Sequence, residues 1–272
     1  MGGLRVQDIV LSVKSDFVIL FAGIIAGFVS EIGAAGSIIA LPMLISLGIP
    51  PVIANGTNRV ANFSLYTSAY GYYVYKKHEF LVPKYLFSLS IPIVVGAVVG
   101  SIAANLISDT ATHSIVVALS ILFITFNTKT AIREDLVKTT VNIKLTALHF
   151  LVLFGAGFYG GLIQSGMTYI IFYSLANIIL IDYNTSKYLK FFFSVLVTIV
   201  SLIVFVFYSN IDYRVGVILL IGGAVGGWIG SIKMQKWSPR HDKEIIKLVI
   251  LFSILYLMLF ILRYGQNILF YA

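Results

Sequence analysis

The chain has 272 residues, of which 59% are hydrophobic and 11% charged, with a formal net charge of +8 and a mean hydropathy of +0.97. A soluble domain cannot hide that much apolar surface, so the composition points to a polytopic, all-α membrane protein. The absence of cysteine and the four scattered histidines exclude disulfides, thiolate metal sites and a cysteine nucleophile, and they leave no expectation of a metal or other cofactor.

In chain order, "MGGLRVQDIVLSVKSD" (1–16) is charged and lacks a long apolar core, so it reads as an interfacial amphipathic segment and not as a cleavable signal. Phe17–Ser30 and Gly36–Leu47 are two short apolar pieces separated by "EIGAA". Val52–Tyr75, Tyr85–Ile107 and Ser114–Asn127 follow. The polar stretch 129–144 is the longest in the chain. Leu145–Ile163 and Thr168–Ile181 are again short and separated by "QSGM". Tyr188–Tyr208, Val215–Ile232 and Ile245–Leu262 complete the apolar set, and 265–272 forms a tail.

The excess of Lys and Arg falls in the loops "KKHEFLVPK", "KTAIREDLVKTTVNIK" and "KMQKWSPRHDKEIIK". That is a topology signal and not a nucleic-acid signal, and it places all three loops in the cytoplasm. The count of crossings then requires Leu145–Ile181 to enter the membrane and return as a hairpin, with Phe17–Leu47 doing the same from the other side.

The two halves repeat. "IPIVVGAVVGSI" from Ile91 matches "IGGAVGGWIGSI" from Ile221, and Gly27-Phe28 matches Gly157-Phe158, both at an offset of 130. Arg59 pairs with Lys190 at one residue more. The expected fold is therefore two inverted-topology repeats, 17–128 and 145–264, each a broken, re-entrant helical hairpin plus three transmembrane helices. A cytoplasmic linker, 129–144, joins them. Gly96, Gly100, Gly226 and Gly230, spaced by four, are expected to form packing ridges.

The breaks are the expected site. Irregular backbone is tolerated at membrane depth only where protein or a water-filled cavity surrounds it, and a helix starting there offers free N–H groups to an anion. Gly33, Ala34, Ala35 and Gly36 form the first break; Gln164, Ser165 and Gly166 form the second. Arg59 stands about 12 Å along its helix at 1.5 Å per residue, where an unpaired charge costs roughly 2.5–3.5 kcal/mol on insertion scales. Arg59 and Lys190 are expected to supply positive charge to an anion, so that alanine at either weakens binding without unfolding the chain. Asn55, Thr57, Asn58 and Asn62 would line a polar path. Glu31 is the one acid deep in an apolar segment. It reads as a proton-coupling group, an ion-pair partner of Arg59, or a cap on a nearby helix end.

"GFVSEIGAAGSIIALPMLISLGIPPVIANGTNRVANF" and "GFYGGLIQSGMTYI" resemble the paired motifs of the TauE/SafE sulfite exporter family, also called sulfite/organosulfonate permeases. The resemblance covers about residues 17–260. In the second motif Gln164, Ser165, Met167 and Thr168 replace a richer glycine run. In "NTSKYLKFFF" both Lys187 and Lys190 compete for the family's lysine. The resemblance implies a plasma-membrane secondary transporter of small sulfur-containing anions, with the bilayer and the anion as partners, no nucleic acid, and a homodimer left open. A passive anion channel is the competing expectation. An intramembrane enzyme is disfavoured because Ser165 has no base at a helical spacing.

Overall fold

The computed structural model describes residues 6–33, 36–77, 84–112, 114–116, 118 and 146–234. These residues form helices and no strand. The elements in order are α1 (Val6–Gly33), α2 (Gly36–Ser46), α3 (Pro51–Lys77), α4 (Lys84–Leu106), α5 (Ala147–Leu162), α6 (Met167–Tyr173), a π-helical turn (Ser174–Ile178), α7 (Tyr183–Phe207) and α8 (Tyr213–Met234). Ala34, Ala35, the linker 129–144, most of the span expected at Ser114–Asn127, all of Ile245–Leu262 and the tail lie outside the described residues.

Local chemistry sets the helix starts. Pro51 opens α3 at the position where its missing N–H is harmless, and the next free amide, Val52 N–H, donates to Asp109 Oδ1 at 2.9 Å. Thr146 N–H, at the head of α5, donates to His149 Nδ1 at 3.3 Å. Asp182 accepts from Thr185 N–H at 3.0 Å at the head of α7, and Asp212 accepts from Val215 N–H at 3.1 Å at the head of α8. These carboxylates satisfy orphan amides and sit at the positive end of the helix dipole.

Leu86–Leu106, Thr185–Phe207 and Tyr213–Lys233 are long and apolar enough to cross a membrane; Gly36–Ser46, Ala147–Leu162 and Met167–Ile178 are apolar but shorter. The outward faces carry Phe87, Ile91, Val95 and Val99 on α4, and Val217, Ile221, Val225 and Ile229 on α8, the pattern expected of surfaces that meet lipid.

Two corrections to the sequence reading concern α1 and the second hairpin. The first helix does not stop at Ser30 but runs through Glu31 to Gly33, because nothing in "SEIG" forbids helical dihedrals. It also begins at Val6, so the expected interfacial segment 1–16 continues directly into the apolar helix. The returning half of the second hairpin is not one regular helix to Ile181: α6 gives way to the π turn and Leu180 adopts a positive φ of 63°.

Glycine determines how the helices meet. A Cβ on Gly96 would strike the carbonyl oxygen of Phe154 and approach Phe158 N within 2.8 Å; a Cβ on Gly226 would strike the carbonyl oxygen of Ile24 and approach Phe28 N within 2.9 Å. The second contact is the first shifted by 130 residues with the partner helix taken from the other half. Gly157 against Ile93 O and Gly27 against Gly223 O form a second such pair. In each half, the first helix thus packs on the last described helix of the other half: α1 on α8, and α5 on α4.

An exposed ion pair joins α1 to α8, Asp16 Oδ2 to Arg214 Nη2 at 2.8 Å, with side chains 34% and 64% exposed. Screening at such exposure limits its worth to below about 1 kcal/mol. Asp16→Asn is therefore expected to leave the melting temperature of the purified protein within a degree or two of wild type; a larger drop would show that the pair anchors α1.

Candidate anion site

The first hairpin closes because Gly36 lacks a side chain. A Cβ there would run into the carbonyl oxygen of Ala26 and lie 2.9 Å from Ser30 Cβ, so α2 lies directly against the last turns of α1. At the second break, Gln164 and Gly166 adopt left-handed dihedrals, φ 65° and φ 73°. Glycine tolerates that region freely, whereas the glutamine is held there by its contacts.

Those contacts bring the two breaks together. Asn62, on α3, donates through Nδ2 to Ser37 Oγ in the first turn of α2 at 3.1 Å and to Gln164 Oε1 at the second break at 3.1 Å. Asn58 Nδ2 donates to the same Ser37 Oγ at 3.0 Å. Gln164 Nε2 in turn donates to Thr198 Oγ1 on α7. The Tyr159 hydroxyl donates to the Ser165 carbonyl, which fixes the backbone of the break. Tyr66 lies beside both Ser30 and Thr168 and so spans the same interval. All of these polar side chains are buried except that of Tyr159, which is half-buried. Buried polar groups of this density persist only when paired, and each unpaired atom needs an explanation. Asn58 Oδ1 and Thr168 Oγ1 have no hydrogen-bond partner among the described residues.

The cations take different places. Arg59 is 0% exposed. Its guanidinium donates to the carbonyls of Gly160 at 3.1 Å, Gly161 at 2.6 Å and Leu162 at 3.3 Å, and to Asn55 Oδ1 at 3.4 Å. It stacks 4.4 Å above the Phe205 ring, and Asn55 Nδ2 adds a bond to Leu162 O at 2.8 Å. These carbonyls are the orphans at the C-terminus of α5, where a cation also meets the negative end of the dipole. Arg59 thus holds the last turn before the second break; its Nε alone has no partner among the described residues. Thr57, expected on the polar path, instead accepts from Asp212 N–H at 2.9 Å and fixes the start of α8.

Lys190, on α7, is 4% exposed and lies 4.6 Å from the Phe191 ring centroid and 5.4 Å from that of Phe172. Glu31 is fully buried in the last turn of α1, packed against Gly230. One expectation for Glu31 needs correction: among the described residues it forms no ion pair with Arg59, whose guanidinium donates to the last carbonyls of α5.

Ser37, Tyr66 and Thr198 were not singled out from the sequence. A signal existed for two of them: Lys190, Ser194, Thr198 and Ser201 recur at intervals of four, four and three in an otherwise apolar helix, a polar stripe down one face. Asn55, Asn58, Asn62 and Tyr66 form the matching stripe on α3.

A family model described as sulfite exporter TauE/SafE matches residues 19–257. The "Probable membrane transporter protein ORF9" of Sinorhizobium sp is 25% identical over 242 residues, covering 86% of this chain and 87% of the relative. The "Probable membrane transporter protein YfcA" of Escherichia coli K12 is 24% identical over 257 residues, covering 93% and 92%. No solved structure matches. With one family model spanning nearly all of its apolar helices, the chain belongs to the sulfite exporter TauE/SafE family.

Proposed function

We propose that this chain is a secondary transporter of small sulfur-containing anions (sulfite, thiosulfate or an organosulfonate), working by alternating access in the plasma membrane with the linker 129–144 in the cytoplasm. The family's description and the names of its relatives support the transporter class. The observation that carries the reading is Asn62. One side-chain amide holds the first turn of α2 and the second break at 3.1 Å each, with Arg59 and Lys190 buried on the helices alongside.

Alternating access needs two units that rock about a shared site. The exchanged packing of α1 on α8 and α5 on α4, repeated at an offset of 130 residues, supports two repeats related by a pseudo-two-fold axis. A hairpin plus three spans in each half turns the second repeat over. Small anions would enter between the breaks, meet Ser37, Asn58, Gln164, Ser165 and Thr168, and feel the field of the two cations. Gly33, Gly36 and Gly166 would let backbone approach the anion closely. Glu31, the one buried acid among the described residues, is the group through which a proton would couple to transport.

The test is a series of sulfur oxyanions, organosulfonates and carboxylates added to purified protein, read by melting temperature. A ligand bound at 100 times its dissociation constant raises stability by about 2.7 kcal/mol. At least one sulfur-containing anion is expected to do so, and Asn62→Leu is expected to abolish the rise and stop uptake into proteoliposomes. If no anion raises the melting temperature and none crosses the bilayer, the reading fails. Ion current that grows without saturation would favour the channel.

A further inference from the structure

The hydrogen bonds between the two breaks run through one side chain. Gln164 is 0% exposed. Its Oε1 accepts from Asn62 Nδ2 on α3 at 3.1 Å, and its Nε2 donates to Thr198 Oγ1 on α7. The neighbours fix the direction of that amide. The Thr198 hydroxyl gives its proton to the Ser194 carbonyl at 2.6 Å, so its oxygen is left to accept. Asn62 Nδ2 divides its two hydrogens between Ser37 Oγ and Gln164 Oε1, both at 3.1 Å. Gln164 therefore presents its oxygen to α3 and its N–H to α7. Taking the anion-transport reading as given, we propose that Gln164 Oε1 is a tethered stand-in for a substrate oxygen. It holds the Asn62 amide between transport events, and the anion binds by displacing it.

Two observations set Gln164 apart from a simple strut. The first is its backbone. At a φ of 65° it lies in the left-handed region, which glycine enters freely and which crowds the Cβ of any other residue. Such a residue persists where its surroundings over-determine it, and such positions cluster at functional sites. The second is asymmetry. At the repeat offset of 130 the first break carries Ala34 where the second carries Gln164, and Phe192 and Phe193 stand 130 and 131 residues after Asn62. The amide bridge thus belongs to one half only. A hairpin of this plan closes without it: the first does so through the approach of Gly36 to the Ala26 carbonyl and Ser30. What the bridge adds is an acceptor oxygen, placed on a donor that reaches both breaks.

An anion needs N–H and O–H donors, and in a region stripped of water a donor without an acceptor is costly. Gln164 covers the Asn62 amide until the anion arrives. The exchange has a direction, because a charged oxygen accepts a hydrogen bond roughly twice as strong as a neutral one does. An oxyanion therefore outcompetes the side chain, which is always at hand to retake the amide as the anion leaves. On this account Gln164 lowers affinity and speeds release. Removing a ligand weakens binding, whereas removing a competitor tightens it, so the sign of the change separates the two roles.

The test uses the full chain purified in detergent, with dissociation constants for sulfite, thiosulfate and methanesulfonate from ligand-dependent melting. Gln164→Gly deletes the competing oxygen and suits the left-handed backbone. It is expected to bind whichever of these anions wild type binds at least fivefold tighter. In proteoliposomes it is expected to release that anion more slowly, so that the maximal rate of uptake falls. Gln164→Glu puts a charged oxygen on the same tether and is expected to weaken the same anions at least tenfold. Thr198→Val keeps Gln164 but strips its Nε2 of an acceptor. The amide is then held less firmly, and binding is expected to tighten at least threefold. Should Gln164→Gly fail to fold, Thr198→Val decides in its place. Unchanged or weaker binding in Gln164→Gly, or in Thr198→Val where that variant stands alone, overturns the proposal: Gln164 is then a direct ligand or a strut. Binding of none of the three anions by wild type or by any variant overturns the anion-site reading itself, and the proposal falls with it.

Discussion

Arg59→Ala is expected to destabilise the protein by about 3–5 kcal/mol, the range for removing one partner of a buried charged network, even in the absence of any anion. The guanidinium satisfies three carbonyls at the end of α5, and each buried polar group left unsatisfied costs about 1–3 kcal/mol. The Phe205 stacking contact is lost as well. This differs from the sequence expectation, in which Arg59 served the anion and its removal spared the fold. Arg59→Lys keeps the charge but replaces a planar fork by a single ammonium, so it is expected to recover part of the loss. The checking measurement is the melting temperature of anion-free protein in detergent. An unchanged value for Arg59→Ala would show that the carbonyls find other donors and that Arg59 is held in place for the substrate alone.

Gly226→Val and Gly96→Val are expected to be the most disruptive of the glycine changes. At Gly226 the first added carbon would occupy the space of the Ile24 carbonyl oxygen, and at Gly96 that of the Phe154 carbonyl oxygen. These are backbone atoms of neighbouring helices, so relief requires a whole helix to move away. Overpacking of ordinary cores costs about 1–3 kcal/mol, and a backbone obstruction belongs at or above the top of that range. Neither variant is expected to yield a monodisperse peak after extraction from the membrane. The control is Gly71→Ala, where nothing lies within 4 Å of the added carbon. Alanine in a helix interior gains about 0.5–1 kcal/mol over glycine, so Gly71→Ala is expected to melt at or above the wild-type temperature. If Gly226→Val behaves like Gly71→Ala, then α1 and α8 do not approach as closely as described.

Much of this architecture was legible in one dimension, because a membrane helix must satisfy its backbone internally and therefore declares itself as a long apolar run. The ends of α3, α4, α5 and α8, and the C-terminal end of α7, fall close to the boundaries read from hydropathy, proline and charge, whereas α7 begins at Tyr183, earlier than the expected Tyr188. The glycine ridges and the offset of 130 were visible as identities, since only glycine permits contact between helix backbones. The continuation of α1 past Glu31 was not visible, because glycine near a helix end signals a stop without saying at which residue it falls.

The direction of each polar side chain was not legible either. Sequence showed that Arg59, Lys190 and Glu31 had to be kept from lipid, because charge in hydrocarbon is costly. It could not say which partner each would take. That depended on contacts between residues about 100 positions apart: Arg59 with the end of α5, Asn62 with Gln164, Asn55 with Leu162. Local propensity carries no information about such pairs. Only the approach of α3 and α5, set by the packing of the helices around them, decided that Arg59 would hold a helix end.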